Sequence, residues 1–348
     1  MSFWQNFHKN IGIDLGTTNT LIYLKNQGLV VGEPTLIALN NRTGQILFIG
    51  SEAKKMLDRT PSHIDLIKPL INGIVSDFEM TEEILKYFLK KIGQNSIFSR
   101  YGFGVVSVPS NLTEVERKSV EDAVISAGVD KVMLVEETIA SAIGARLPIE
   151  EPGANMIIDI GGGTTDISII SVGGLVISKS LKVAGQKFND DIIKFIKDEF
   201  KLLIGEPTAE ELKINIGSAI PLEEKLEMSV RGRDVSTGLP KEIIVKSAHI
   251  RAAIQKSLKL ISEEIRSLIE ESPPELVGDI LRRGIYISGG GSLLKGLDKY
   301  IENETTVTTI VVDDPLTCVI RGLGMIVEDK KRFESILSNQ QKPRKINV

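Results

Sequence analysis

Two short stretches of this chain set one acidic residue beside glycines and small hydroxyl residues at nearly the same spacing. Asp14 is followed by Gly16, Thr17, Thr18 and Asn19, and Asp159 by Gly161, Gly162, Gly163, Thr164 and Thr165. These are the residue types that a polyphosphate with Mg²⁺ needs. Glycine lets backbone N–H groups come close to phosphate oxygens and point at them. The hydroxyls add donors. Mg²⁺ keeps much of its water shell and takes one or two carboxylates, which makes Asp14 and Asp159 the candidate metal partners, acting mainly through water. One such turn alone reads as a plain hairpin closed by Asx and Ser/Thr turn chemistry. Two of them, with a third glycine run at Gly289-Gly290-Gly291, point to a bound nucleotide.

The third run follows the short apolar stretch Ile285 to Ser288. It would let a flat base lie against backbone, although a tight strand-to-helix turn uses the same residues. Glu210 and Lys213 are spaced to share one face of a predicted helix. They could reach a ribose hydroxyl and the adenine edge, and alone they read as a solvated helix face. Hydrolysis needs a group that positions the attacking water. Two neighbouring carboxylates qualify, Glu136 and Glu137, between apolar Leu134-Val135 and the small-residue helix Ile139 to Gly144. The simpler role for Glu136 is a charge at a helix N-terminus. Spacing alone leaves the pair unranked.

The elements that position these residues repeat. Ile11 to Leu15 is a strand ending in Asp-Leu-Gly, followed by a polar turn, the apolar run Leu21 to Leu24, a turn at Asn26-Gln27-Gly28 and the strand Leu29-Val30-Val31. Met156 to Ile160 ends in Asp-Ile-Gly, and Ile167 to Val172, the Gly173-Gly174 turn and Leu175-Val176-Ile177 repeat the pattern. A P-loop is excluded, because no Gly-Lys-Ser/Thr precedes a helix, and a dinucleotide fingerprint is excluded because these glycines open a hairpin. Each copy continues into helices. Thr113 to Glu116 forms a capping box before Val120, Ala123, Val124 and Ala127, with Gly128 as the stop. Ile254, Leu258, Ile261, Ile265, Leu268 and Ile269 make a second stripe, ended by Pro273-Pro274. A further helix is expected with Leu293, Leu294, Leu297 and Ile301. Two related α/β halves joined near Pro148 to Gly153 imply a cleft between them.

The chain's 348 residues suffice for two domains. Its net charge of −4 offers no global attraction to nucleic acid, and none is expected as a partner. A single cysteine, Cys318, excludes an intrachain disulfide, and with only 3 histidines a structural zinc site is not expected. No apolar run is long enough to span a bilayer, and Met1 to Asn10 lacks the pattern of a secretory signal. Gln340 to Val348, with Lys342, Arg344 and Lys345, reads as a frayed, solvated tail.

Taken together the motifs resemble those of the actin/Hsp70/sugar-kinase superfamily. Ile11 to Thr20 resembles its first phosphate motif, Asp159 to Asp166 its second, and Ile287 to Asp298 its adenosine motif. From about Lys9 to Val327 the chain is similar to the bacterial actin family MreB, including Glu33 to Ala38, Ala140 to Ala145, Ser236 to Pro240 and Pro274 to Val277. The resemblance implies an α/β actin-like ATPase fold: a domain over 1–150 with an insert near 33–80, a domain over 151–330 with an insert near 188–250, and a tail over 331–348. It implies ATP and Mg²⁺ as cofactors, with Glu137 and Thr164 as the hydrolytic residues. It implies polar protofilaments that pair, self-association, related filament proteins as partners, and a cytoplasmic place at the inner face of the cell membrane. Phe3, Trp4 and Phe7 on a short helix, with Ile97 and Phe98 in a loop, are the membrane-contact candidates. The sequence departs from the family pattern in Thr138 for Pro, Thr18 for Ala and Asp166 for Glu. The alternative is a small-molecule kinase on the same fold, which would need a dedicated general base and larger inserts than those seen.

Overall fold

Alternate side chains of the first strand serve two different cores, and the second half repeats the arrangement. The computed structural model describes residues 9–93 and 101–340, so Phe3, Trp4, Phe7, Ile97, Phe98, Lys342, Arg344 and Lys345 fall outside it. Strand β1 (Lys9–Leu15) buries Ile11, Ile13 and Leu15 in the core of the first half. On its other face Gly12 leaves room for Leu323, since a Cβ there would lie 3.0 Å from that side chain. β2 (Asn19–Leu24) and β3 (Gly28–Pro34) continue antiparallel.

An insert follows. β4 (Ile37–Asn40), β5 (Ile46–Ile49) and β6 (Ile64–Ile67) form a small antiparallel sheet beside α1 (Ser51–Lys54), and β7 (Leu70–Ile71) pairs with β8 (Ile74–Val75). After α2 (Phe78–Gly93), β9 (Tyr101–Val108) returns parallel to β1. Helix α3 (Glu114–Ser126) starts on the expected capping box between Thr113 and Glu116. β10 (Val132–Glu136) lies parallel to β9 and runs directly into α4 (Glu137–Gly144).

The second half opens with β11 (Asn155–Ile160), β12 (Thr165–Ser171) and β13 (Gly174–Leu181), then α5 (Gly185–Phe200). Its insert holds β14 (Leu202–Leu203), α6 (Glu206–Ile216), β15 (Glu227–Asp234) and β16 (Pro240–Lys246). The long helix α7 (Ser247–Glu270) buries Ile254, Leu258, Ile261, Ile265 and Leu268, as its spacing demands. Pro274 then opens α8 (Pro274–Arg283) before β17 (Ile285–Ser288). The turn after β17 is a short 3₁₀ segment, Gly290–Leu293, so Leu293 stands exposed and the helix expected there begins later, as α9 (Leu297–Thr305). β18 (Thr309–Val311) and α10 (Cys318–Glu328) follow.

The two large sheets have strand orders β10-β9-β1-β2-β3 and β18-β17-β11-β12-β13, which is one topology built twice. β11 is buried along its whole length, as a strand covered on both faces must be. Met156, Ile158 and Ile160 enter the core of the second half, whereas Ile157 enters a third core. That third core lies between the sheets and is shared by both halves. Val105 and Val135 come from the first sheet, Ile157 and Ile170 from the second, Ile139 and Ile143 from α4, and Ile320, Leu323 and Ile326 from α10. Two sequence-based boundaries shift here. Helix α10, assigned with the second half, packs on α4 and β1 of the first. The stretch from 331, read as tail, buries Phe333, Ile336 and Leu337 in the shared core, the last two on α11 (Glu334–Gln340).

Candidate functional site

Strand alternation explains why the acidic residues converge. Asp14 lies on the Gly12 face of β1 and Asp159 on the Ile157 face of β11, and both faces turn toward the shared core. Ser107 follows the same rule on β9 and Ser288 on β17. Ser107 Oγ donates to Asp14 Oδ1 at 2.7 Å, and Ser288 Oγ donates to Asp159 Oδ2 at 2.7 Å. Ser141 of α4 donates in turn to Ser288 at 2.6 Å. Asp166, fully buried on β12, is the cross-strand partner of Asp159 and accepts the Ser110 N–H at 3.1 Å.

Burial of these carboxylates disfavours their charged forms. Burial pushes Asp14 up to about 6, against the Ser107 hydrogen bond. Burial, with repulsion from Asp14 and Asp166, pushes Asp159 up to about 7 against the Ser288 bond. Glu137, the first residue of α4, is raised well above the ordinary carboxylate range by burial and then by Asp166, Asp14 and Asp159. Glu136 has a different fate. It is only 4% exposed, but it lies on the opposite face of β10 from Val135, where Arg117 Nη1 of α3 stands 3.8 Å from its Oε1.

The two hairpin tips are closed alike. The Gly16 N–H donates to Asn19 O at 3.1 Å, and the Gly161 N–H to Thr164 O at 2.9 Å. Buried Thr20 and Thr165 tie each hairpin to its neighbour, through Thr35 and Val183 O respectively. The tips also face each other. A side chain on Gly162 would run into Thr18, and one on Gly163 would lie 2.6 Å from Thr17 Oγ1. Thr17 Oγ1 accepts the Gly73 N–H at 2.8 Å. The Gly185 and Gln186 N–H groups at the start of α5 donate to Gly161 O and Gly162 O. Among the described residues, the N–H groups of Thr17, Thr18, Gly162 and Gly163 have no protein acceptor.

Glu210 and Lys213 share a face of α6, as expected, and pair at 2.7 Å. Lys213 Nζ also donates to Gly185 O, and Asn189 Nδ2 to Glu210 Oε2. Burial pushes Glu210 up, but Lys213 and Asn189 outweigh it and hold the carboxyl below its usual value. This pair therefore stands beside the second hairpin and is not free solvated surface. Gly289 and Gly291 have a packing role, because a Cβ on Gly289 would crowd Asp159 Oδ1 at 2.8 Å and one on Gly291 would crowd the Ile160 side chain. Gly290 meets only Leu316.

Sequence reading missed Ser107, Ser288, Ser110 and Arg117. For the two serines a signal existed: each lies at or one residue before the end of the apolar strand parallel to an Asp-bearing strand, in Val-Val-Ser107-Val-Pro and Ile-Tyr-Ile-Ser288-Gly.

The residues present suit a hydrated divalent cation and a polyphosphate. Buried like-charged carboxylates are costly unless a cation balances them. Among the described residues, no group of three or more acidic, histidine or cysteine side chains is arranged to hold a metal directly.

The duplicated sheets with paired turns between them are the actin-like fold. The chain superposes with a TM-score of 0.90 on the crystal structure of MreB5 of Spiroplasma citri bound to AMPPNP, at 38% identity over 95% of this chain and 98% of that one. It matches the MamK double helical filament at 0.78 and 22% identity, a likeness of fold alone. The sequence model of the MreB/Mbl protein family matches residues 8–335, and the chain belongs to that family. It is 43% identical to the cell shape-determining protein Mbl of Bacillus subtilis (strain 168), over 94% of this chain and 98% of that protein. It is 42% identical to the cell shape-determining protein MreB of Escherichia coli (strain K12), over 92% and 94%.

Proposed function

We propose that this chain binds Mg-ATP between its two hairpin turns, hydrolyses it, and assembles with copies of itself into membrane-associated filaments that act in cell shape or motility. One observation carries the ATPase reading: Glu137 gathers with Asp14, Asp159 and Asp166 on the shared face, while Arg117 draws Glu136 to the other. The S. citri relative has been solved with AMPPNP and with ADP, which supports the nucleotide reading.

The N–H groups of Thr17, Thr18, Gly162 and Gly163 bind phosphate oxygens, with Gly16, Asn19, Gly161 and Thr165 shaping the two tips. Asp14 and Asp159 hold Mg²⁺ through water, and the ion offsets the phosphate charge. Glu137 orients the attacking water, with Thr164 as the second hydrolytic residue. Glu210 and Lys213 face the ribose and base, and Gly289 to Gly291 form the floor beneath the base. Two domains joined near residues 148–153, with α10 returning to the first and α11 packed on both, let one half move relative to the other. The filament-forming relatives support self-assembly, and Phe3, Trp4, Phe7, Ile97 and Phe98 are the side chains proposed to touch the membrane. Among the described residues no helix is long and apolar enough to cross a membrane.

Sedimentation with ATP at rising protein concentration, read together with phosphate release, tests this. A critical concentration with phosphate released in the absence of any added acceptor is expected. ATP consumed only after a metabolite is added, with no pellet, would establish the kinase instead.

A further inference from the structure

The two inserts, far apart in sequence, touch across the mouth of the cleft. Asp58, just after α1, adopts a left-handed backbone (φ 58°) and accepts the Glu206 N–H at 3.0 Å. Glu206 is the first residue of α6, where backbone donors lack partners within the helix and a carboxylate is favoured. The approach needs Gly205, because a side chain there would run into Asp58 Oδ2. From β6's end Lys68 Nζ reaches both carboxylate oxygens of Glu206, at 2.9 and 2.8 Å. Glu206, Glu210 and Lys213 follow one another along a single face of α6, and Lys54 of α1 adds attraction for Glu210. The helix that carries the cross-cleft contact therefore also carries the Glu210–Lys213 pair.

We propose that Asp58, Lys68 and the start of α6 form a clasp that holds the cleft closed over bound nucleotide and sets its rate of release. The proposal rests on the nucleotide reading above. Contacts made only in the closed state shift the open–closed equilibrium by their own contribution, and release must pass through the open state. The Lys68–Glu206 pair is partly exposed, at 35% and 34%, so its effect is modest and weakened by salt.

Displacement of a fluorescent ATP analogue by excess ATP, followed by stopped flow, measures it. Lys68→Ala and Asp58→Ala should each release nucleotide about fivefold faster, Gly205→Ala should release it faster without altering any charge, and Lys68→Arg should stay near wild type. Added salt should speed release from the wild type and leave Lys68→Ala little changed. Melting temperatures close to wild type separate this from general loosening, and if Gly205→Ala does not fold, Lys68→Ala decides. Release within twofold of wild type in Lys68→Ala overturns the clasp and leaves the nucleotide reading standing. Failure of the wild type itself to bind the analogue overturns that reading and the clasp with it.

Discussion

The first and second halves share a frame but not a chemistry. In both, an aspartate ends the central strand, a serine on the parallel neighbour donates to it, and a glycine N–H closes the turn. The cross-strand partner differs: Leu21 opposes Asp14, whereas Asp166 opposes Asp159. The strand-to-helix junctions differ too. At the end of β10, Glu137 joins the buried carboxylates. At the matching place after β18, Asp314 is largely exposed and pairs with Arg321 at 3.3 Å. A duplicated frame can thus carry an asymmetric set of side chains: the carboxylates that burial pushes up include Asp14, Asp159 and Glu137, and no counterpart of Glu137 is buried after β18.

Breaking the asymmetry at the junction has the largest expected effect. Glu137→Ala should keep nucleotide bound but slow phosphate release about 100-fold or more, since water positioning acts on the transition state. Glu136→Ala should leave turnover within about threefold and instead lower stability by about 1–3 kcal/mol, because Arg117 loses its partner. Single-turnover phosphate release and thermal melts of both variants separate the two effects. Loss of turnover in Glu136→Ala alone would reverse the assignment.

The contact between the two tips gives the next effect. Gly162→Ala pushes a methyl into Thr18 and should weaken Mg-ATP binding about tenfold. Adding Thr18→Gly should recover most of that loss. If the double variant binds no better than Gly162→Ala, the tips do not approach each other as described.

The third effect is smaller and concerns pH. Asp14 and Asp159 hold protons up to about 6 and about 7 in the folded protein, against 3.8 for an ordinary aspartate. Between those limits the folded state binds more protons than the unfolded one, so stability falls as pH rises from about 4 through about 7. The nucleotide-free protein should lose a few degrees of melting temperature between about pH 5 and about pH 8. Asp159→Asn should flatten that slope more than Asp14→Asn. A rising or equal slope would show that the sites do not bury charge as described.

The parts of this site set by local pattern were legible in the sequence. Asp14, Asp159 and their glycine–threonine turns announce themselves because hairpin chemistry is written within a few residues. The Glu136–Glu137 pair was not resolvable by spacing. It sits where the period changes from two to 3.6, and its ranking depends on knowing that Val135 faces the shared core and Leu134 the other. Arg117, the partner of Glu136, comes from a helix elsewhere. Asp58 and Glu206 meet only through tertiary folding. The return of α10 and the burial of Phe333, Ile336 and Leu337 were hidden for the same reason: a short apolar stretch near a chain end does not say which sheet it will cover.

One ligand held by both halves is the central claim, and equilibrium titration of Mg-ATP into the wild type, Asp14→Asn and Asp159→Asn tests it most directly. The account predicts one site per chain, with affinity reduced in both variants and the dependence on Mg²⁺ weakened in each. Wild-type affinity and Mg²⁺ dependence in either variant would contradict it, because that half would then not be holding the metal.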